Sequence, residues 1–227
     1  MGFYAWLRPT LRPLTLHMRW LLLRNRIDRN QWVHQPESAV RHRQWMELSW
    51  DDTAAAYPDY FARMSVSVGR TRGSVLELGC GMGNMTRWIA GRDEVTEVTA
   101  VDGFNEAINE LRSRNLPKVH AMAAHMTKLQ FPAGRKFDTV VLCELIEHLY
   151  PDEEAAMLRA IRPHLAEGAG WVASVPIGWL EDPHHVRAFS RERFTRHLAR
   201  HYGPVEGRDE SSGYSQVAWG RFHRPQL

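Results

Sequence analysis

At 227 residues, with 44% hydrophobic and 24% charged residues, the chain has the composition of one globular α/β domain and not of a disordered or fibrous protein. Two cysteines exclude a disulfide-rich framework, and reduced thiols in a cytoplasmic protein are expected. No apolar run approaches the roughly 18–20 residues that a membrane span requires.

The positive charge is concentrated at the N-terminus. Residues 1–50 hold eight arginines and three acidic residues, whereas the whole chain has a formal net charge of +3, so the body is slightly acidic. We expect a basic extension over 1–35 and a single domain over 36–227, whose residues 36–70 form leading cap helices. The extension mixes Trp, Leu and Arg. A lid over the active site is favoured for it, ahead of peripheral membrane contact through residues 1–30 or contact with phosphates.

A glycine-rich turn follows the first predicted strand, 74–78. The segment 77–84 has the sequence ELGCGMGN, and a helix is predicted from residue 84 to residue 90. Because glycine has no side chain, backbone N–H groups in such a turn can approach a ligand closely. The turn lacks the Lys of a phosphate-binding P-loop, and Asn84 stands where the dinucleotide fingerprint has glycine. A purely structural tight turn is the alternative.

The second predicted strand, 97–102, ends in Asp102, which lies 23 residues after Gly79. In a βαβ unit, an acid about 20 residues beyond the glycine turn reaches the ribose hydroxyls of a bound nucleoside. A carboxylate can accept hydrogen bonds from both hydroxyls. The alternative role for Asp102 is the N-cap of a helix predicted over 104–114.

The rest of the chain continues to alternate strands and helices, which predicts a doubly wound, mostly parallel sheet. A helix begins at Pro151, and the run 215–221 is predicted to be an antiparallel edge strand. Ligands of such sheets bind beyond the carboxyl ends of the strands. The other predicted strands are 118–122, 137–143 and 171–175.

VLELGCGMGN followed by VTAVDGFNEAI resembles the class I S-adenosylmethionine-dependent methyltransferase family, as do FDTVVLCELIEHL and GAGWVASVP. The resemblance covers a Rossmann-like core at about 74–220. It implies S-adenosylmethionine as cofactor and a seven-stranded sheet in which only the last strand is antiparallel. The expected cofactor-binding residues are Glu77, Gly79, Cys80, Gly81, Gly83, Asp102, Gly103, His125, Met126 and Cys143.

Two of these residues have specific expected roles. Glu77 is expected to support the glycine turn by accepting backbone N–H bonds. The family usually has an acid after the third strand that meets the adenine amino group, but this sequence has Ala-His-Met at 124–126. The Met126 backbone or the His125 side chain is therefore expected there, with an ordinary surface role for His125 as the alternative.

A second constellation combines Glu144, Glu147 and His148, which would share one face of a helix. His184 and His185 follow the fifth strand and would lie on the same side of the sheet. Two branches of the family show this E-x-x-E-H arrangement: ubiquinone-biosynthesis O-methyltransferases and small-RNA 3′-end 2′-O-methyltransferases, where two Glu and two His hold a metal. The resemblance implies ligands Glu144, Glu147, His148 and, in preference to His184, His185, with Mg²⁺ or Mn²⁺ as the cation. A metal-free site is favoured over this arrangement.

We therefore expect a cytoplasmic, biosynthetic methyltransferase that resembles the ubiquinone branch. Its expected reaction is methylation of a small-molecule acceptor at oxygen. In-line methyl transfer needs mainly positioning, but a hydroxyl must also lose its proton. His148 and His185 are the expected catalytic residues, as bases or through a bound metal. The alternatives are an RNA 3′-end 2′-O-methyltransferase and a non-catalytic cofactor-binding module. The body has no basic stripe, so a nucleic-acid partner is disfavoured.

Overall fold

The computed structural model of the protein describes residues 55, 58–178, 185–211 and 215–223. Short 3-10 turns at Met126–Lys128, Ile146–His148 and Arg162–His164 connect some of the longer elements. In chain order, the helices and strands are α1 (Pro58–Gly69), β1 (Gly73–Leu78), α2 (Asn84–Ala90), β2 (Val95–Asp102), α3 (Asn105–Ser113), β3 (Val119–Ala123), β4 (Phe137–Cys143), α4 (Pro151–Ile161), β5 (Leu165–Pro176), α5 (Arg191–His201), β6 (Val205–Asp209) and β7 (Ser215–Arg221).

The seven strands form one sheet in the order β3-β2-β1-β4-β5-β7-β6. Strands β1 to β5 pair in parallel, and β7 runs antiparallel to both of its neighbours. The predicted fold class, a seven-stranded, mostly parallel sheet with an antiparallel last strand, is confirmed.

The expected edge position of residues 215–221 is wrong. The edge strand beside β7 is β6, with the sequence VEGRD, which the sequence analysis missed. Its residues are half-buried or exposed, so β6 lacks the apolar pattern by which a buried strand is recognised.

Each face of the sheet is covered by its own hydrophobic cluster. Met157 of α4 and Leu198 of α5 belong to the cluster on one face, and Met64 of α1 and Ile108 of α3 belong to the cluster on the other. Central strands contribute to both clusters, as neighbouring side chains of β4 illustrate: Val140 lies in the first and Val141 in the second. Each such buried side chain contributes roughly 1.5–3 kcal/mol, so the sheet is a rigid platform for the loops at its ends.

Strand β1 lies at the centre of the topology because it pairs with β2 on one side and β4 on the other. The chain winds outward in opposite directions from this pair, which makes the carboxyl ends of β1 and β4 the switch point where ligands of such sheets bind. The glycine turn follows β1, and the predicted acid and histidine cluster begins directly after β4. Both predicted sites therefore lie at the carboxyl ends of these strands.

Among the described residues, no helix is both long enough and apolar enough to cross a bilayer. The predicted extension over 1–35, with its membrane contact through 1–30, and His184 lie outside the described residues. Helix α1 is the described part of the predicted cap helices.

Candidate functional site

The glycine turn is held open by backbone geometry that other residues adopt poorly. Gly79, Gly81 and Gly83 all have left-handed φ angles, of 76°, 53° and 81°. A Cβ atom on Gly83 would also lie 2.3 Å from a methyl group of Leu111. The amides of Gly79 and Cys80 both donate to the Val101 carbonyl, at 2.8 and 3.1 Å. The turn is thereby fastened to the end of β2.

Asp102 connects the glycine turn to the start of α3. Its Oδ2 accepts a hydrogen bond from the Gly81 amide at 2.8 Å, and its Oδ1 accepts one from the Phe104 amide at 2.9 Å. The alternative N-cap role is wrong, because Phe104 is the N-cap residue of α3 and receives no capping bond from a side chain. Since a carboxylate offers about four acceptor positions, these two bonds are compatible with binding ribose hydroxyls. The predicted Gly103 follows directly in the same loop.

Glu77 is a buried carboxyl group beneath the turn. Its Oε2 accepts a hydrogen bond from the Thr86 hydroxyl at 2.6 Å, so the expected backbone donors are replaced by a side chain of α2. Burial raises the pKa of Glu77 to about 8, with the Thr86 bond opposing this rise and the Asp102 charge adding to it. The side chain is therefore mainly protonated at neutral pH.

The structure gives His125 and Met126 different surroundings. The Met126 side chain is buried in the hydrophobic core. His125 Nδ1 accepts a hydrogen bond from the Thr127 amide at 3.3 Å, which caps the 3-10 turn at Met126–Lys128. The adenine-contacting role stays a prediction for both residues.

Cys143 ends β4, which pairs in parallel with β1. Burial raises the pKa of its thiol to about 12, and its Sγ lies 3.3 Å from the Ser67 hydroxyl of α1. Cys143 is therefore a neutral thiol, and Cys80 shares this state because burial raises its pKa well above the usual value.

Glu144 departs from the predicted arrangement. The expected helix over 144–148 is wrong: Glu144 has a left-handed φ of 51°, and a 3-10 turn follows it at Ile146–His148. Its carboxylate accepts a hydrogen bond from the Ser174 hydroxyl at 2.7 Å and forms an ion pair with Arg63 at 2.7 Å. Glu144 is consequently not part of the group of possible metal ligands, and its two partners were missed by the sequence analysis.

Glu147, His148 and His185 do come together. One ligand atom from each lies within 4.8 Å of the others. The rings of His148 and His185 are 4.8 Å apart in an edge-to-face arrangement. His148 Nε2 is 4.0 Å from Glu147 Oε1, which is too long for a hydrogen bond. Two imidazoles from different loops thus meet over one buried carboxyl group.

Glu147 is 1% exposed, and neither of its oxygens has a hydrogen-bond partner among the residues that the structure describes. Burial, and then the neighbouring Glu144 charge, raises the pKa of Glu147 well above its usual value. An unsatisfied buried carboxyl is costly unless something pairs with it. Two imidazoles and a carboxylate are a donor set that suits a divalent cation, so three of the four implied metal ligands fit this role.

The segment that carries the glycine turn, Asp102 and the Glu147–His148 turn matches a known family. Residues 75–168 match the family model described as a methyltransferase domain. The strand order of the sheet agrees with the class I fold that the sequence predicts.

Two curated relatives of this chain are plant enzymes. (S)-coclaurine N-methyltransferase of Thalictrum flavum subsp. glaucum is 30% identical over 145 residues, which are 62% of this chain and 34% of the relative. N-methyltransferase 4 of Papaver somniferum is 30% identical over 99 residues, 42% of this chain and 27% of the relative. The chain spans about a third or less of the length of these relatives.

A solved DhpI–SAH complex shares the fold, with a TM-score of 0.63 and 22% identity over 82% of this chain and 93% of that chain.

Proposed function

We propose that this protein is an S-adenosylmethionine-dependent methyltransferase that methylates a hydroxyl oxygen of a small-molecule acceptor. The observation that carries the proposal is that the glycine turn with Asp102, and the pair His148 and His185, all follow the carboxyl ends of parallel strands of one sheet, at its switch point. A cofactor cradle and two proton acceptors at the same edge are what methyl transfer to a hydroxyl requires. The match of residues 75–168 to the model of a methyltransferase domain supports the assignment.

The cofactor cradle consists of the glycine turn, Asp102 and Glu77, and each has its own task. When bound, S-adenosylmethionine supplies a methyl group made electrophilic by a positively charged sulfur. The open backbone of the glycine turn admits the ligand closely, and Asp102, held by the Gly81 and Phe104 amides, is oriented to accept from ribose hydroxyls. Burial keeps Glu77 mainly neutral, so the floor of the turn is uncharged, and the bond from Thr86 fixes the position of its carboxyl group. The cradle is thus organised before the ligand enters.

His148 and His185 are the residues to which we assign removal of the acceptor proton. An imidazole has a pKa near neutral pH, which suits a general base. Glu147, His148 and His185 would also hold a divalent cation, and a bound cation would lower the pKa of an acceptor hydroxyl. Both versions use the same three side chains, and they differ in their response to a chelator.

A second candidate is methylation of an amine, which is favoured by the two curated relatives named as N-methyltransferases. The likeness to the ubiquinone-biosynthesis branch supports an oxygen acceptor. The RNA 3′-end alternative is less well supported, because Glu144 is engaged by Arg63 and Ser174 instead of joining the other three implied ligands.

Methyl transfer from S-adenosylmethionine with a labelled methyl group tests the proposal. Paired acceptors with the same ring, one a catechol and one an amine, separate the two candidates by the product formed. His148→Ala/His185→Ala should lower turnover on the hydroxyl acceptor by about 100-fold or more and leave calorimetric affinity for S-adenosylhomocysteine unchanged. Wild-type turnover in the double variant would remove both histidines from the mechanism. Methylation of the amine alone would replace the oxygen assignment.

A chelator distinguishes the two ways of removing the proton. If the three side chains hold a cation, treatment with EDTA should abolish turnover and Mg²⁺ or Mn²⁺ should restore it. If the imidazoles act directly, turnover should be insensitive to EDTA. In either case cofactor affinity should not change, because no residue of the cradle belongs to the proposed cation group.

A further inference from the structure

We propose that Arg187 and Glu154 form a buried positioning pair that holds His185 against His148. Neither residue belongs to the cofactor cradle or to the group of possible cation ligands. The inference rests on the proposed function only for its effect on turnover. Its effect on the two imidazoles is a property of the folded protein and can be measured without any acceptor.

The loop that carries His185 is fastened by its backbone to the turn that carries His148. The amides of Val186 and Arg187 both donate to the carbonyl oxygen of Glu147, at 2.9 and 3.2 Å. One carbonyl group therefore receives two donors from the residues immediately after His185. These bonds set the distance between the two segments.

The side chain of Arg187 adds a second connection between the same segments. One guanidinium nitrogen pairs with Glu154 Oε2 at 2.7 Å, and the other donates to the carbonyl oxygen of Ile146. The side chain is only 12% exposed, and its guanidinium lies 5.5 Å from the ring of Phe189. Arg187 thus bridges the loop of His185, the turn of His148 and helix α4.

Glu154 is the fixed end of this bridge. Besides Arg187, its carboxylate accepts hydrogen bonds from Tyr202 Oη at 2.6 Å and His197 Nε2 at 2.8 Å. Burial opposes its ionisation, but the His197 hydrogen bond and the Arg187 charge outweigh burial and lower the pKa of Glu154 to about 2. The carboxylate therefore remains charged at working pH, and its partners tie it to α5 and the residue that follows it.

The geometry of the bridge requires a guanidinium group. Its planar fork directs separate N–H groups at the Glu154 carboxylate and the Ile146 carbonyl, which a single ammonium nitrogen does not reproduce. Arg187→Lys therefore keeps the charge but loses one of the two attachments. Glu154→Gln keeps the size of the side chain but replaces a charge-assisted bond by a neutral one. The two variants test the same bridge from its opposite ends.

A matched control exists at the opposite end of the strands, where β2 and β4 begin. Arg135, just before β4, pairs with Glu97 at 2.7 Å, the same separation as in the Arg187–Glu154 pair. Arg135→Lys alters an Arg–Glu pair of equal length far along β4 from the histidines. The measurements are kcat, the acceptor KM, calorimetric affinity for S-adenosylhomocysteine, and the ¹H–¹⁵N imidazole resonances of His148 and His185 at fixed pH.

We expect Arg187→Lys and Glu154→Gln to shift the resonances of both imidazoles and to lower kcat about tenfold or more, with cofactor affinity unchanged. Arg135→Lys should leave all four measurements at wild-type values. The proposal is overturned if the imidazole resonances do not move in either variant, or if cofactor affinity falls by the same factor as kcat. Shifted resonances in a protein that methylates no acceptor would support the positioning pair and refute the proposed function.

Discussion

Replacing Glu77 by glutamine should remove a large pH dependence from the stability of the fold. Burial raises the pKa of this carboxyl from 4.5 to about 8. Its stabilising contribution is full below the unfolded-state pKa and is lost as the pH rises through the folded-state pKa. Each pH unit between the two values lowers the free energy of unfolding by about 1.36 kcal/mol. Because the slope is smaller close to each of the two pKa values, the wild-type protein loses about 3.5 kcal/mol between pH 5 and pH 8 through this one group.

Glutamine resembles the protonated carboxyl group in size and can still accept a hydrogen bond from the Thr86 hydroxyl, but it does not titrate. Glu77→Gln should consequently gain stability relative to wild type as the pH rises. Urea unfolding at pH 5, 6, 7 and 8 measures this difference, and taking variant minus wild type cancels the titration of other groups such as Glu147.

Glu97→Gln is the control for this series. Its hydrogen bond from Arg135 lowers the pKa of Glu97, so that group titrates below the tested window and its difference curve should be flat. A Glu77→Gln difference that does not change between pH 5 and pH 8 would refute the argument that Glu77 is buried and protonated.

Three further outcomes follow from the contacts of single residues. Asp102→Ala removes two carboxylate–amide hydrogen bonds and should weaken calorimetric affinity for S-adenosylhomocysteine at least tenfold. Its control is Asp138→Asn, which alters a similar bond to the Ser74 amide at the amino ends of the strands and should leave this affinity unchanged. Gly220→Ala should lower the urea midpoint by the equivalent of about 1–3 kcal/mol, because the added Cβ would lie 2.0 Å from a backbone oxygen. Gly69→Ala should leave the midpoint unchanged or raise it, since no described residue lies within 4 Å of its added Cβ. A loss there equal to that of Gly220→Ala would contradict the packing argument.

The features that could be predicted from the sequence are those produced by neighbours along the chain. A buried strand, a glycine turn and a helix are each recognised within about 15 residues, and the spacing from Gly79 to Asp102 follows from the length of one βαβ unit. The alternation of such units implies the parallel sheet and therefore the edge where the site lies. Since these inferences need only local pattern, the glycine turn and Asp102 lie where the sequence places them.

The features that the tertiary structure decided depend on residues that are distant in the sequence. Ser174 meets Glu144 because β5 lies beside β4, and Arg63 reaches the same carboxylate from α1. Because of these contacts, Glu144 does not join Glu147 in the group of possible metal ligands. A rule based on helical spacing could not anticipate this. The pairing of Arg187 with Glu154 likewise joins segments 33 residues apart. A charged side chain takes the partner that its buried surroundings provide, and those surroundings exist only after the sheet and its helices have packed.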